Sequence, residues 1–274
     1  MSRRLRWALD EDGEEILFAP TVAMHTIVAG ATRSGKSKLS QAILVQLARC
    51  PEVAVCGVDP AGGLLAPFAR LRPEDVVVGS GIPALENAVK LIDHLVEVME
   101  QRNMGLLDRL EEKMDHFSPE CPLIVVVLEE YAGMLAALEA WDKKRQKGFV
   151  LQVGRLLREG AKAGIRVFTV IQRPEAAVLH DRAQYSRRIS CRLDNADSVR
   201  MLFEDASAPV VARLVNVPPG QGLVWEAGSP PRWFQAPDLN YARYCELIFD
   251  RYRGPTLGLG VSGASPRSLR GVGE

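Results

Sequence analysis

Residues 30–37, Gly30-Ala31-Thr32-Arg33-Ser34-Gly35-Lys36-Ser37, narrow the fold of this chain more than any other stretch. They form a complete G-x-x-x-x-G-K-[ST] phosphate loop. The apolar run at 25–29 (HTIVA) precedes them and reads as a buried strand. Leu39, Ile43, Leu44 and Leu47 follow at helical spacing. Strand, loop and helix in this order have a physical meaning. Gly30 and Gly35 permit backbone angles closed to other residues, so successive amides can turn toward one polyphosphate. The helix N-terminus adds partial positive charge. Lys36 would reach the β- and γ-phosphates, and the Ser37 hydroxyl would ligate Mg²⁺. ATP and Mg²⁺ are therefore the expected cofactors.

From residue 26 onward, short apolar runs alternate with helical stretches. Strands are expected at 26–30, 53–58, 75–79, 123–128, 166–171, 188–193 and 222–226. Helices are expected at 36–49, at 84–115 with a break near 103–105, at 139–163 and at 196–204. Residues 1–24 read as a lead-in with two small strands around a turn at 10–13. This alternation predicts an α/β fold, a P-loop NTPase of RecA-like type, with a mostly parallel sheet covered on both faces. The motor-sized unit spans 25–240, a C-terminal helix 241–253, and a Gly/Ser/Pro-rich disordered tail 254–274. Arg267 and Arg270 in that tail read as solvated charge.

Composition sets limits. The chain has 274 residues, with 34 Lys plus Arg against 34 Asp plus Glu. Bulk charge thus gives no support to a nucleic-acid partner, and any such contact must be a local patch. The helical stretch 139–163 offers one, with Lys143, Lys144, Arg145, Lys147, Arg155, Arg158 and Lys162, though interspersed acids fit a solvated face better. Arg102, Arg109 and Lys113 lie on the earlier helix. Five cysteines without a C-x-x-C pair argue for a reducing compartment and against a disulfide framework or zinc site. No apolar run approaches the ~20 residues of a membrane span, and no signal peptide opens the chain. The expectation is a cytoplasmic protein, any membrane attachment being lent by a partner. His25 reads as a packing residue, and His94, His116 and His180 as surface residues.

A phosphate loop fixes nucleotide binding; hydrolysis needs an acidic group at the end of a neighbouring strand. Residues 123–131 (LIVVVLEEY) supply one. Glu129 would complete the metal shell, acting through a bridging water where Asp is more usual. Glu130 would orient and deprotonate the attacking water. Gln172 closes the 166–171 run at the C-terminal edge where ligands of open α/β sheets bind, which makes it a candidate sensor of the γ-phosphate.

These pieces in this order resemble the FtsK/SpoIIIE branch of the HerA–FtsK motor ATPases. The resemblance rests on 25–37 (HTIVAGATRSGKS), on Asp59-Pro60, on 124–134 (IVVVLEEYAGM), on 159–165 with 169–174 (TVIQRP), and on 188–193 with 219–223 (PGQGL). The LEEY variant and Arg33 look most like actinobacterial plasmid and conjugal transfer proteins. The resemblance implies a ring, a homo-hexamer, that hydrolyses ATP to move double-stranded DNA in plasmid transfer or chromosome segregation. A membrane-anchored partner is implied too. It also implies an arginine finger, carried over to Arg188, with Arg187 and Arg173 as alternatives. The family's Asp-Pro-Lys is Asp59-Pro60-Ala61 here, and Arg166 stands where a His is frequent. The rival readings are a secretion-type ATPase whose cargo is polypeptide and a nucleotide-gated assembly module.

Overall fold

The computed structural model describes residues 4–22, 24–175, 178–179 and 181–261. His180, Arg267 and Arg270 lie outside the described residues. In chain order the elements are β1 (Leu5–Asp10), β2 (Glu15–Phe18), β3 (Thr26–Ala29), α1 (Lys36–Leu47), β4 (Val53–Asp59), α2 (Ala66–Leu71), β5 (Val76–Val78) and α3 (Ile82–Asp108). They continue with β6 (Leu123–Leu128), α4 (Tyr131–Trp141), α5 (Lys143–Glu159), β7 (Ile165–Ile171), β8 (Arg187–Cys191), α6 (Ala196–Leu202) and α7 (Ala208–Leu214). The last are β9 (Gln221–Glu226), β10 (Arg232–Gln235) and α8 (Tyr241–Arg251).

All ten strands join one sheet, in the order β2-β1-β10-β9-β8-β3-β7-β6-β4-β5. From β8 to β5 every pairing is parallel. From β8 outward through β9, β10, β1 and β2 every pairing is antiparallel. The expected mostly parallel α/β sheet is thus present, with an antiparallel wing built from β1, β2, β9 and β10. Alternation along β6 sorts the core. Ile124, Val126 and Leu128 face α3, α4 and α5. Leu123, Val125 and Val127 face α1, α2 and α8. A strand buried on both faces is why 123–128 is apolar throughout.

Three local expectations need correction. The helix begun at 82 runs unbroken through Asn103 and Gly105 to Asp108, because buried Met99 and Leu106 hold both sides of that step. The stretch 139–163 is not one helix. Asp142 is extended and its carboxylate accepts the amides of Lys144 and Arg145, starting α5 afresh after α4. Residues 254–261, expected in a disordered tail, are packed. The carboxylate of Asp75 accepts the amides of Leu257 and Leu259, Arg72 donates to the Gly254 carbonyl, and Val261 is fully buried. Tyr252 Oη accepts the Val55 amide on the edge of β4 that the short β5 leaves uncovered. Residues 262–274 of that tail lie outside the described residues.

The basic stretch of α5 is largely spoken for within the chain. Lys143 pairs with Glu139, Arg145 with Asp142, Arg155 with Glu100 and Glu159, and Arg158 with Asp181. Arg109 pairs with Glu111, and Arg102 donates to the carbonyls of Ala163 and Pro122. All five cysteines are free thiols. Among the described residues no helix is long and apolar enough to cross a membrane.

Candidate active site

Crossovers between parallel strands bring the C-terminal ends of β3, β4, β6 and β7 to one rim. The phosphate-loop backbone is fixed there from both sides. Gly30 donates its amide to the Ile171 carbonyl of β7 at 3.3 Å, and Ala31 donates to the Arg192 carbonyl after β8 at 2.9 Å. Arg33 and Gly35 adopt positive φ of 62° and 96°. Gly35 has a second constraint, since a Cβ there would sit 2.5 Å from the Gly220 nitrogen. Gly220 donates that amide to the Ser34 carbonyl at 2.8 Å. Helix α1 then starts with no acidic residue in its first turn and no side-chain cap, so its N-terminal amides and dipole are open to an anion. Lys36 is buried and Ser37 exposed at that start.

The acidic pair lies beside this loop. The Glu129 amide donates to the Val58 carbonyl at 2.9 Å, extending the β4–β6 ladder one residue past β6. This sets Glu129 next to Asp59. Asp59 is fully buried; one carboxylate oxygen accepts the amides of Ala61 and Gly62, the other those of Leu64 and Leu65. It organises the turn after β4 and has no lone pair aimed at the rim left over. Burial, then the nearby Asp59 and Glu130, push the Glu129 carboxyl up to about 7, with the Lys36 ammonium opposing them. Glu129 Oε2 is buried with no hydrogen-bond partner. Glu130 caps α4 in the left-handed region, φ 47°, and Gln172 Nε2 donates to its Oε2 at 2.9 Å.

These groups share one cavity of about 610 Å³. It is lined by Ala31 to Lys38, by Pro60 and Ala61, by Glu129, Glu130 and Gln172, and by Pro219, Gly220 and Gln235 to Asp238. Thr32 and Ser34 thus line it with the rest of the loop. Sequence reasoning gave no role to the last group. Its signal was the PGQG turn, here the strut under the phosphate loop, while Asp238 pairs with Lys38 across the α1 start. An unpartnered buried carboxylate oxygen beside an open hydroxyl fits a hydrated divalent cation. Among the described residues no cluster of three or more His, Cys, Asp or Glu side chains could cage one. Mg²⁺ suits such a sparse donor set, because it keeps waters and takes substrate phosphate oxygens.

Arg188 is not in this cavity. It aligns with Ile27, below the rim, and its guanidinium lies over the Trp225 ring while donating to the carbonyls of Tyr185, Arg182 and Leu202. Arg187 pairs with Glu226 and is buried. Arg173, next to Gln172, pairs with Asp194 at 3.0 Å with its side chain 61% exposed.

Comparison with known proteins agrees with this geometry. Residues 4–120 match the FtsK/SpoIIIE family. The transfer protein TraSA of Streptomyces ambofaciens is 27% identical over 78% of this chain and 54% of its own length. The DNA translocase FtsK of Halalkalibacterium halodurans is 27% identical over 73% of this chain and 26% of its own. The chain therefore spans about half of the first relative and about a quarter of the second. Among solved structures, the pCW3 conjugation coupling protein TcpA with ATPγS superposes with a TM-score of 0.70, at 20% identity, over 89% of this chain and 69% of that one. The cytoplasmic domain of the Thermomonospora curvata type VII secretion ATPase EccC gives 0.65 at 22% identity, over 97% and 32%. At those identities the likeness establishes the fold, that of P-loop ATPases. The chain is thus similar to the FtsK/SpoIIIE family over residues 4–120 and to transfer and translocase proteins across about three quarters of its length.

Proposed function

We propose that this chain is the ATP-hydrolysing motor of a double-stranded DNA translocase, serving plasmid or conjugative transfer. The observation that carries the proposal is a single cavity in which a phosphate loop faces Glu129, Glu130 and Gln172. Residues 30–37 hold the triphosphate, with Lys36 on the β- and γ-phosphates. Ser37 and Glu129 would hold Mg²⁺, which when bound neutralises charge on the phosphate oxygens. Glu130 accepts the proton of the attacking water, and Gln172 stands beside it. A second subunit of a ring, a homo-hexamer by family resemblance, supplies an arginine to the γ-phosphate. Arg188 would have to leave three carbonyls and an indole ring to act there, so the geometry favours Arg173 for that part. A cytoplasmic location, with anchoring by a membrane partner, belongs to the same proposal.

The test is ATP turnover with and without double-stranded DNA. Turnover should rise with DNA, and the rise should fall steeply between about 50 and 200 mM salt, as phosphate contacts release counterions. Stimulation by a peptide and none by DNA would overturn the DNA cargo in favour of polypeptide. ATP binding without turnover under any condition would reduce the chain to an assembly module.

A further inference from the structure

Resting on the reading just proposed, we infer that the Arg33 side chain is a phosphate ligand in its own right, a guanidinium that the loop carries under backbone strain and that grips the nucleotide's phosphate chain beside the loop amides. The backbone asks for a different residue at this position. The Ser34 amide donates to the Ala31 carbonyl at 3.1 Å, which closes a four-residue turn with Thr32 and Arg33 at its centre. Of those two only Arg33 has positive φ, 62°, so the turn follows the type II pattern, whose third residue is ordinarily glycine. The turn cannot relax, because both its ends are pinned. Ala31 donates to the Arg192 carbonyl, and the Ser34 carbonyl accepts the Gly220 amide. A residue with a Cβ therefore stands where glycine would be free of strain. Leu110, another described residue with a Cβ and positive φ, has a structural account: its amide and that of Glu111 close α3 on the carbonyls of Leu107 and Leu106. Arg33 ends no helix.

The side chain supplies the reason that the backbone lacks. Arg33 is exposed and lines the cavity of about 610 Å³. Among the described residues no hydrogen bond, ion pair or aromatic ring takes its guanidinium. Other arginines are answered within the chain: Arg187 pairs with Glu226, Arg173 pairs with Asp194, and Arg188 donates to three carbonyls. Among the cations of the cavity, Lys38 is held by Asp238 and Lys36 is buried at the start of α1. Arg33 is thus the cation there that is both uncommitted and open to solvent. The loop amides offer a phosphate chain neutral donors. A guanidinium adds a full charge and a planar fork that matches two phosphate oxygens at once. The ligand class is an anion with several adjacent phosphate oxygens, a nucleoside di- or triphosphate. Strain borne at a functional residue of this kind is repaid only when that ligand binds.

The test is calorimetric binding of ATPγS and of ADP, each with Mg²⁺ and without DNA, to Arg33→Ala and Arg33→Gly, with thermal midpoints measured on the protein alone. Alanine removes the guanidinium and keeps the strain; glycine removes both. Each variant should bind both nucleotides about five- to thirtyfold more weakly than wild type, with a shallower loss of affinity as salt rises. The glycine variant alone should melt higher, by about 1–3 °C, because relief of strain outweighs the added freedom of its unfolded chain. Arg33→Lys keeps the charge without the fork and should bind between the alanine variant and wild type. Wild-type affinity in either the alanine or the glycine variant overturns the inference. Turnover lost at wild-type affinity overturns it equally, since the guanidinium would then serve a neighbouring chain. A glycine variant that melts below wild type also overturns it, because the arginine would then serve the fold. Failure of the underlying reading looks different: Lys36→Ala would then bind ATPγS as the wild type does.

Discussion

The two ends of the parallel strands carry buried charge in opposite ways. At the N-terminal rim Arg166 is buried, and its guanidinium donates to the carbonyls of Thr21, Val22, Ala161 and Ile165. Burial pulls its pKa down to about 10, which still leaves it charged. Beside it His25 Nδ1 accepts the Val167 amide at 3.0 Å, and burial with the Arg166 charge pushes the imidazole down to about 4, so it is neutral. There Arg166 keeps its charge and is answered by four carbonyls, and His25 gives its charge up, its Nε2 buried without a hydrogen-bond partner. At the C-terminal rim Glu129 has an oxygen without a partner, α1 begins uncapped, and Arg33 and Glu130 hold positive φ. Unanswered polar groups and backbone strain of order 1–3 kcal/mol per residue cluster at functional sites. The lesson lies in the charges: the fold answers or neutralises those buried at the N-terminal rim, while a carboxylate oxygen at the C-terminal rim is left without a partner.

The largest effect that would break this contrast is on turnover. Glu130→Gln keeps the size and the Gln172 neighbour but removes the proton acceptor. ATP turnover should fall by about 10²–10⁴-fold, while binding of ATP persists. Turnover near wild type would mean that the strained rim residue has no part in the chemistry. The next effect belongs to the other rim. His25 titrates at 6.5 when unfolded and at about 4 when folded, so the unfolded chain binds its proton first on acidification. Stability is therefore fully present above pH 6.5 and is lost as pH falls toward 4, by about 3 kcal/mol from this residue. His25→Asn, which keeps an acceptor for the Val167 amide, should flatten that part of the denaturant-midpoint profile. An unchanged slope would show that the N-terminal rim stores no such neutral histidine.

Much of this was readable from residue order. A strand wedged between two faces must be apolar throughout, so 123–128 declared itself along with its helix-covered setting. The phosphate loop declared itself because glycine spacing, lysine and hydroxyl are all demanded by one backbone path. Two kinds of feature were not readable. Asp142 is one residue inside a long helical pattern, and only its extended backbone, with two amides bonded to its carboxylate, turns one helix into two. The packed segment 254–261 has tail-like composition; Asp75, 182 residues before Leu257, orders it, and Tyr252 just ahead of it is tied to Val55, 197 residues away, on the β4 edge that β5 leaves free. Likewise, Gly220 and Asp238 reach the site through an antiparallel wing whose closing strand β10 has four residues. Local pattern carries local structure, and these placements are long-range.

The smallest effect tests the contrast most directly, because it sets stability against function at one atom. The Glu129 carboxyl titrates at about 7 in the folded chain and at 4.5 otherwise. The folded chain therefore binds the proton more tightly, and this residue withdraws stability as pH rises from 4.5 to about 7. Discounted for its partial exposure, the loss is about 1–2 kcal/mol above pH 7. Glu129→Gln should thus match the wild type near pH 4.5 and become more stable than it by that amount at pH 8, without ligand. The same variant should lose Mg²⁺-dependent turnover. Stability gained where catalysis is lost is what a carboxylate reserved for a cation produces. A variant less stable than wild type at pH 8 would place Glu129 with Arg166, among the groups whose charge the fold itself answers.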